Sequence, residues 1–187
     1  VTESDRRRVF FAFWPPEETL HALDALAADA AQLCGGRKMR RDTLHQTLVF
    51  IGAVTPDQLV ALREIAGAVH GEAFDLRLDR VGCWARNRIV WAGCSLVPSC
   101  QRRLFDDLAT RLSDAGFSLD KHAYTPHVTL VRDARCDNLP ELPESISWPV
   151  SDFVLVESLL QPSGANYRVL DRWVLKSSPD KKISKGC

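Results

Sequence analysis

Thr43-Leu44-His45-Gln46-Thr47-Leu48-Val49 returns in the second half of the chain as Thr125-Pro126-His127-Val128-Thr129-Leu130-Val131. The shared core is His-x-Thr-Leu-Val. In an extended strand successive side chains alternate faces. His45 and Thr47 therefore share one face of their strand, and His127 and Thr129 share one face of theirs. If the two halves face each other, two imidazoles and two hydroxyls converge on a common cavity. One neutral and one protonated imidazole form a general acid–base pair.

Working outward from these words, the chain reads as alternating strands and helices. The apolar run Val9 to Trp14 predicts a buried strand ended by Pro15-Pro16. Glu17 to Cys34 has acids in its first turn and Gly35-Gly36 just beyond it, the start and stop of a helix. The first motif strand is expected over Leu44 to Ile51. Thr55-Pro56-Asp57-Gln58 has the form of a capping box opening a helix to about Val69. Phe74 to Val81 alternates apolar and charged residues and predicts one half-buried strand. Arg86-Asn87-Arg88 lies at the turn into a strand ending at Gly93. Pro98 opens a helix whose Leu104, Leu108 and Leu112 share a face and which Gly116 closes. Pro126 to Val131 is the second motif strand, and Pro140 to Pro149 is read as a connection. Phe153 to Leu160 and Tyr167 to Leu175 form a hairpin around Pro162-Ser163-Gly164. The class is α+β, with no Gly-rich phosphate loop.

The 187 residues suit one domain, with room for two lobes. Residues 1–176 are expected to form it, with 177–187 as a polar tail. The formal net charge is zero, so no overall field favours long nucleic acid, although arginines recur near both histidine words. No apolar run is long enough for a membrane span and the first residues do not form a signal peptide. A soluble, cytoplasmic monomer is expected. The six cysteines, Cys34, Cys83, Cys94, Cys100, Cys136 and Cys187, form no C-x-x-C pair and read as scattered reduced thiols, a Cys94–Cys100 bridge being disfavoured. Each motif strand offers one metal ligand where zinc needs three or four, so neither metal nor other cofactor is expected.

At these residues the chain resembles the 2H phosphoesterase superfamily, and within it the bacterial RNA 2′,3′-cyclic phosphodiesterases, long called 2′-5′ RNA ligases. The resemblance rests on Arg8-Val9-Phe10-Phe11-Ala12, on Asp42 to Gly52 around the first histidine, and on Pro126 to Ala134 around the second. It implies a bilobal α+β fold, two antiparallel sheets with flanking helices around a central cleft. It further implies hydrolysis of 2′,3′-cyclic phosphate at RNA 3′ ends to a 2′-phosphate, with His45 as proton donor and His127 as base. Run backwards, the same site would join a 2′-phosphate end to a 5′-hydroxyl end. The alternatives are a phosphodiesterase for a small cyclic nucleotide or an ADP-ribose cyclic phosphate, and a non-catalytic protein that holds RNA ends.

Thr47 and Thr129 are expected to bind substrate. Arg132 poses a conflict: strict alternation from His127 turns it away from the site, whereas the resemblance brings it to phosphate, which requires a bulge or the end of regular pairing there. Arg40 is a weaker candidate. Tyr124 or Phe11 could stack on a base, core packing being the simpler role for Phe11. Gln46 stands where relatives usually carry an apolar residue and is expected to point away from the histidines. Lys38 replaces an aromatic residue frequent in relatives. His21, His70 and His122 read as surface residues.

Overall fold

The computed structural model describes residues 6–119, 124–161 and 164–177. His122, the Pro162-Ser163 turn and all of the tail except Ser177 lie outside the described residues.

The strands are β1 (Arg7–Phe13), β2 (Arg37–Lys38), β3 (Gln46–Val54), β4 (Phe74–Leu78), β5 (Arg80–Trp84), β6 (Ile89–Gly93), β7 (His127–Arg132), β8 (Ile146–Val150), β9 (Asp152–Gln161) and β10 (Gly164–Val174). The helices are α1 (Glu17–Cys34), α2 (Pro56–Gly67) and α3 (Ser99–Asp114), with a 3₁₀ turn over Arg41–Thr43. The expected α+β class with antiparallel sheets is what the chain adopts. One sheet runs β10-β9-β1-β3-β7-β6-β5, with β2 also on β7, and β4-β8 forms a second. The two halves of the large sheet are sewn together at one residue pair, Gln46↔Val128. The motif strands diverge from that seam, and the cleft opens between them.

β1 explains how the sheet divides inside from outside. Val9, Phe11 and Phe13 join the main core with Leu23, Leu26, Leu62 and Leu108 of the helices. Phe10 and Ala12 face the other way, into a small cluster with Val154 and Val156. Helices thus cover one face and the cleft occupies the other. Helix α3 buries Gln101, Leu104, Leu108 and Leu112 as a single stripe, each leucine contributing about 1.5–3 kcal/mol by leaving water. The capping box of α2 is formed: Gln58 N–H donates to Thr55 Oγ1 (3.2 Å) and Thr55 N–H donates to Gln58 Oε1 (2.9 Å).

Three expectations are corrected. The run Phe74 to Val81 is two strands. Leu76 and Leu78 keep the predicted inward face, but β4 pairs with β8 and β5 with β6. Between them Asp79 N–H donates to the Gly93 carbonyl of β6 (3.0 Å), and its carboxylate accepts the Ser95 N–H at 2.6 Å. The connection Pro140 to Pro149 contains β8, in which Ile146, Trp148 and Val150 are buried and Ser147 and Pro149 are exposed. Its alternation was readable, and a proline is tolerated because β8 lies at a sheet edge. The thiols are not all reduced: Cys83 and Cys136 form a disulfide with Cα atoms 5.8 Å apart. The fold brings these cysteines together from 53 residues apart, which spacing could not reveal. Cys34, Cys94 and Cys100 are free.

Candidate active site

The site is built by a backbone device used twice. Along β7, Trp91 pairs with Thr129 and Val90 with Val131, so Leu130 is an extra residue in the ladder. Leu130 and Val131 are both buried, and the alternation resumes one step late. Arg132 thereby lands on the face of His127 and Thr129, which resolves the conflict between alternation and a phosphate contact. Along β3 the same thing happens. Ala12 pairs with Thr47 and Phe11 with Val49, leaving Leu48 extra, so Phe50 returns to the face of Thr47. The Leu-Val of each repeated word is the consecutive buried pair that marks the bulge.

His45, Thr47, His127, Thr129 and Arg132 all line one cavity of about 410 Å³. His45 sits just before β3 rather than within it. Its Nδ1–H donates to the Thr43 carbonyl (2.7 Å), and His127 Nδ1–H donates to the Thr125 carbonyl (2.8 Å). Both rings are therefore held in the tautomer that leaves Nε2 free for chemistry. In this tautomer the Nε2 of His45 accepts from the Thr47 hydroxyl (3.1 Å).

Aromatic rings enclose the first histidine. Trp14 stacks on His45 with centroids 5.6 Å apart and a 5° tilt, while Phe10 and Tyr167 lie at 4.9 and 5.1 Å. His127 meets Trp84 in a T-shaped contact at 4.5 Å. Burial pushes the His45 imidazole down to about 4, with the charges of His127 and Arg132 adding to it and the Thr43 carbonyl opposing. His127 is also lowered, by burial first and by Arg132, against the Thr125 carbonyl. Among the described residues, the cavity wall carries two guanidiniums, Arg8 and Arg132, and no carboxylate. Arg8 lies over the Phe50 ring at 4.7 Å. Such a wall suits an anion and penalises a second positive charge on the imidazoles.

The other candidates fall elsewhere. Phe11 is in the core against Phe153 and Trp173. Tyr124 lines a larger neighbouring cavity of about 870 Å³, stacks on Phe105 at 4.0 Å and accepts a hydrogen bond from Gln101 Nε2 (2.9 Å). Arg40 lines a small adjoining notch, paired with Asp42 (3.1 Å). Gln46 points away from the histidines into the core, where its Oε1 accepts from Gln101 Nε2 (2.6 Å). Lys38 is tied to Asp24 on α1 (2.7 Å). His21 and His70 are exposed. Among the described residues, no three His, Cys, Asp or Glu side chains group to hold a metal ion, and no helix is long and apolar enough to cross a membrane.

Sequence reasoning missed Arg8, Phe10, Trp14, Trp84 and Tyr167 as site residues. Phe10 was within reach, because burial of Phe11 on the helix side turns its neighbour to the cleft. Tyr167 arrives from the distant β9–β10 hairpin, and no local pattern announces it.

The chain and its fold are similar to known proteins. The RNA 2′,3′-cyclic phosphodiesterase of Escherichia coli (strain K12) is 32% identical over 173 residues, which span 92% of this chain and 98% of that one. The RNA 2′,3′-cyclic phosphodiesterase of Aeropyrum pernix is 31% identical over 141 residues, 69% and 80% of the two chains. The crystal structure of E. coli LigT complexed with 3′-AMP matches with a TM-score of 0.84 at 31% identity, covering 91% of this chain and 98% of that chain. TT0787 of Thermus thermophilus matches with a TM-score of 0.80 at 26% identity, again over 91% and 98%. The LigT-like phosphoesterase family matches residues 13–91 and 97–167, a span that holds both histidine words and both bulges, and the chain belongs to that family.

Proposed function

We propose that this protein hydrolyses 2′,3′-cyclic phosphate at RNA 3′ ends to a 2′-phosphate by acid–base catalysis with two histidines. The observation that carries the reading is the cavity itself. Two imidazoles with locked tautomers, three threonines and two arginines line it, with no carboxylate among the described residues, matching a phosphodiester anion flanked by a base and an acid.

In this mechanism neutral His127 takes a proton from water as its oxygen attacks phosphorus. Protonated His45 gives a proton to the departing 3′ oxygen. The P–O bond to water forms as the P–O3′ bond breaks, and the pair ends the step with its proton on His127 instead of His45. Each transfer is typically worth 10²–10⁴-fold. Thr47, Thr129 and Arg132 donate to the equatorial oxygens, which gain charge in the transition state. Without ligand, burial and Arg132 keep His45 unprotonated near neutrality. The phosphate anion reverses that balance on binding, because an opposite charge nearby favours the imidazolium.

The test is turnover of 2′,3′-cyclic AMP and of an oligomer with a 2′,3′-cyclic phosphate end, with the product phosphate located by NMR. A 2′-phosphate product formed in EDTA is expected. No turnover of either substrate, or loss in EDTA restored by a divalent ion, would overturn the reading.

A further inference from the structure

Beside the catalytic cavity lies a notch of about 160 Å³, lined by Arg37, Arg40, Arg132, Thr43 and Tyr167 among others. Arg132, Thr43 and Tyr167 line the catalytic cavity as well, so the two spaces share a wall. Arg37 and Arg132 are direct partners across the β2–β7 ladder. Residues so placed have Cβ atoms about 4.5–5.5 Å apart on one face, and like charges there are destabilising. Neither guanidinium has an ion-pair or hydrogen-bond partner among the described residues. Two carboxylates of the surrounding segments are already engaged, Asp42 with Arg40 and Asp24 with Lys38. Gly36 brings β2 this close, since a Cβ there would lie 2.5 Å from the Arg132 carbonyl oxygen. The fold thus holds two cations face to face, beside a site already suited to one phosphate, and among the described residues no carboxylate lines the notch.

We propose that this notch binds the phosphate on the 5′ oxygen of the terminal nucleoside, so that the protein prefers RNA ends to bare cyclic mononucleotides. The inference rests on the hydrolase reading above and extends it to the substrate class. Arg132 serves the cyclic phosphate from the shared wall and Arg37 the phosphate one step upstream. That group is a diester in RNA and a monoester in a 5′-phosphorylated nucleotide.

The experiment compares kcat/KM for four substrates: a 2′,3′-cyclic nucleoside monophosphate, its 5′-phosphorylated form, the dinucleotide ending in the same cyclic phosphate, and that dinucleotide with an uncharged methylphosphonate link. The parent protein should prefer the charged dinucleotide to the mononucleotide and lose the preference with the methylphosphonate. Arg37→Gln should lower the dinucleotide-to-mononucleotide ratio about ten-fold, as expected for one charge-assisted contact. The salt slope on the dinucleotide should fall by about 0.7 in the variant. Because it relieves a like-charge pair, the variant should melt no lower than the parent. Preference for the 5′-phosphorylated nucleotide equal to that for the dinucleotide assigns the site to any 5′ phosphate, and a preference for the dinucleotide alone assigns it to RNA. An unchanged ratio in Arg37→Gln, or equal turnover of the charged and methylphosphonate dinucleotides, would overturn the proposal. If no substrate turned over, the hydrolase reading would fail by itself. Calorimetric binding of a dinucleotide with a 2′-phosphate end would still decide the notch, by weakening or not weakening in Arg37→Gln.

Discussion

His45 and His127 occupy the same place in the same word, yet their surroundings differ. His45 lies among Phe10, Trp14 and Tyr167 and is pushed down to about 4, while His127 has Trp84 and a less enclosed position. After each word the bulge delivers one more side chain to the cleft, Phe50 in the first half and Arg132 in the second. Between histidine and threonine stands Gln46 in one half and Val128 in the other, and these two form the seam. Two nearly symmetric strands therefore become an unequal pair through what packs around them. Environment, rather than the word, is what makes the two imidazoles unlike.

The comparison breaks most visibly at the imidazoles. His45→Ala and His127→Ala should each lower kcat by on the order of 10²-fold or more, and the double variant should be little worse than either, since the pair acts as a unit. A substrate whose leaving oxygen needs no proton should partly rescue His45→Ala alone. Rescue of His127→Ala instead would exchange the two roles, and near-parent rates in both would end the catalytic reading.

The bulge positions come next. Arg132→Ala should lower kcat/KM by about ten-fold or more, through loss of a charge-assisted bond to phosphate. Phe50→Ala removes an aromatic wall and no charge on substrate, so steady-state kinetics should register a smaller loss. Equal losses would mean that the two halves contribute alike at this position.

Buried Gln46 sharpens the comparison through stability. Gln46→Leu removes one of the two acceptors of Gln101 Nε2, Tyr124 being the other, and urea unfolding should show a loss of about 0.5–1.5 kcal/mol. Gln46→Leu with Gln101→Leu should recover part of it, because removing both partners avoids an orphan. A single variant as stable as the parent would show that the glutamine pair contributes nothing to the seam.

The pH response is the subtlest effect. The pair is productive with one proton, and both imidazoles are lowered in the free site. The maximum of kcat/KM should therefore lie on the acid side of the ordinary histidine value of 6.5, and that of kcat higher, because bound phosphate raises the imidazoles. For stability the sign is fixed by which state takes the proton first. Histidine in the unfolded chain titrates near 6.5 and folded His45 near 4. Its contribution is complete above about pH 6.5 and is lost progressively as pH falls to about 4. Melting temperature followed over that interval should fall less steeply in His45→Gln; an identical slope would remove His45 as the cause.

The sequence disclosed the two words, the helices and the capping box because each is written in adjacent residues. It also posed the Arg132 conflict and left two ways to turn that side chain to the site, a bulge or the end of regular pairing, of which the ladder shows the bulge. Leu48-Val49 and Leu130-Val131 carried the signal, as consecutive apolar residues that break alternation in matching places. What stayed hidden depends on long-range pairing. Pro149 masked the alternation of β8, whose partner β4 lies far upstream in the chain. Asp79 splits a run that is locally continuous. The Cys83–Cys136 bond, and the arrival of Tyr167 beside His45, follow from closure of the whole sheet.

The twin bulges also separate two kinds of obligation along the chain. Leu48, Val49, Leu130 and Val131 are bound to the core, and the histidines and threonines to the cleft. Positions 50 and 132 answer to the cleft alone: each is a partly open slot at its rim, reached by a backbone detour that costs the interior nothing when its occupant changes. One slot holds a ring and the other a cation. A fold with such slots can revise its taste in substrates by exchanging the ring at position 50, while its two proton carriers and the cation at position 132 stay where they are.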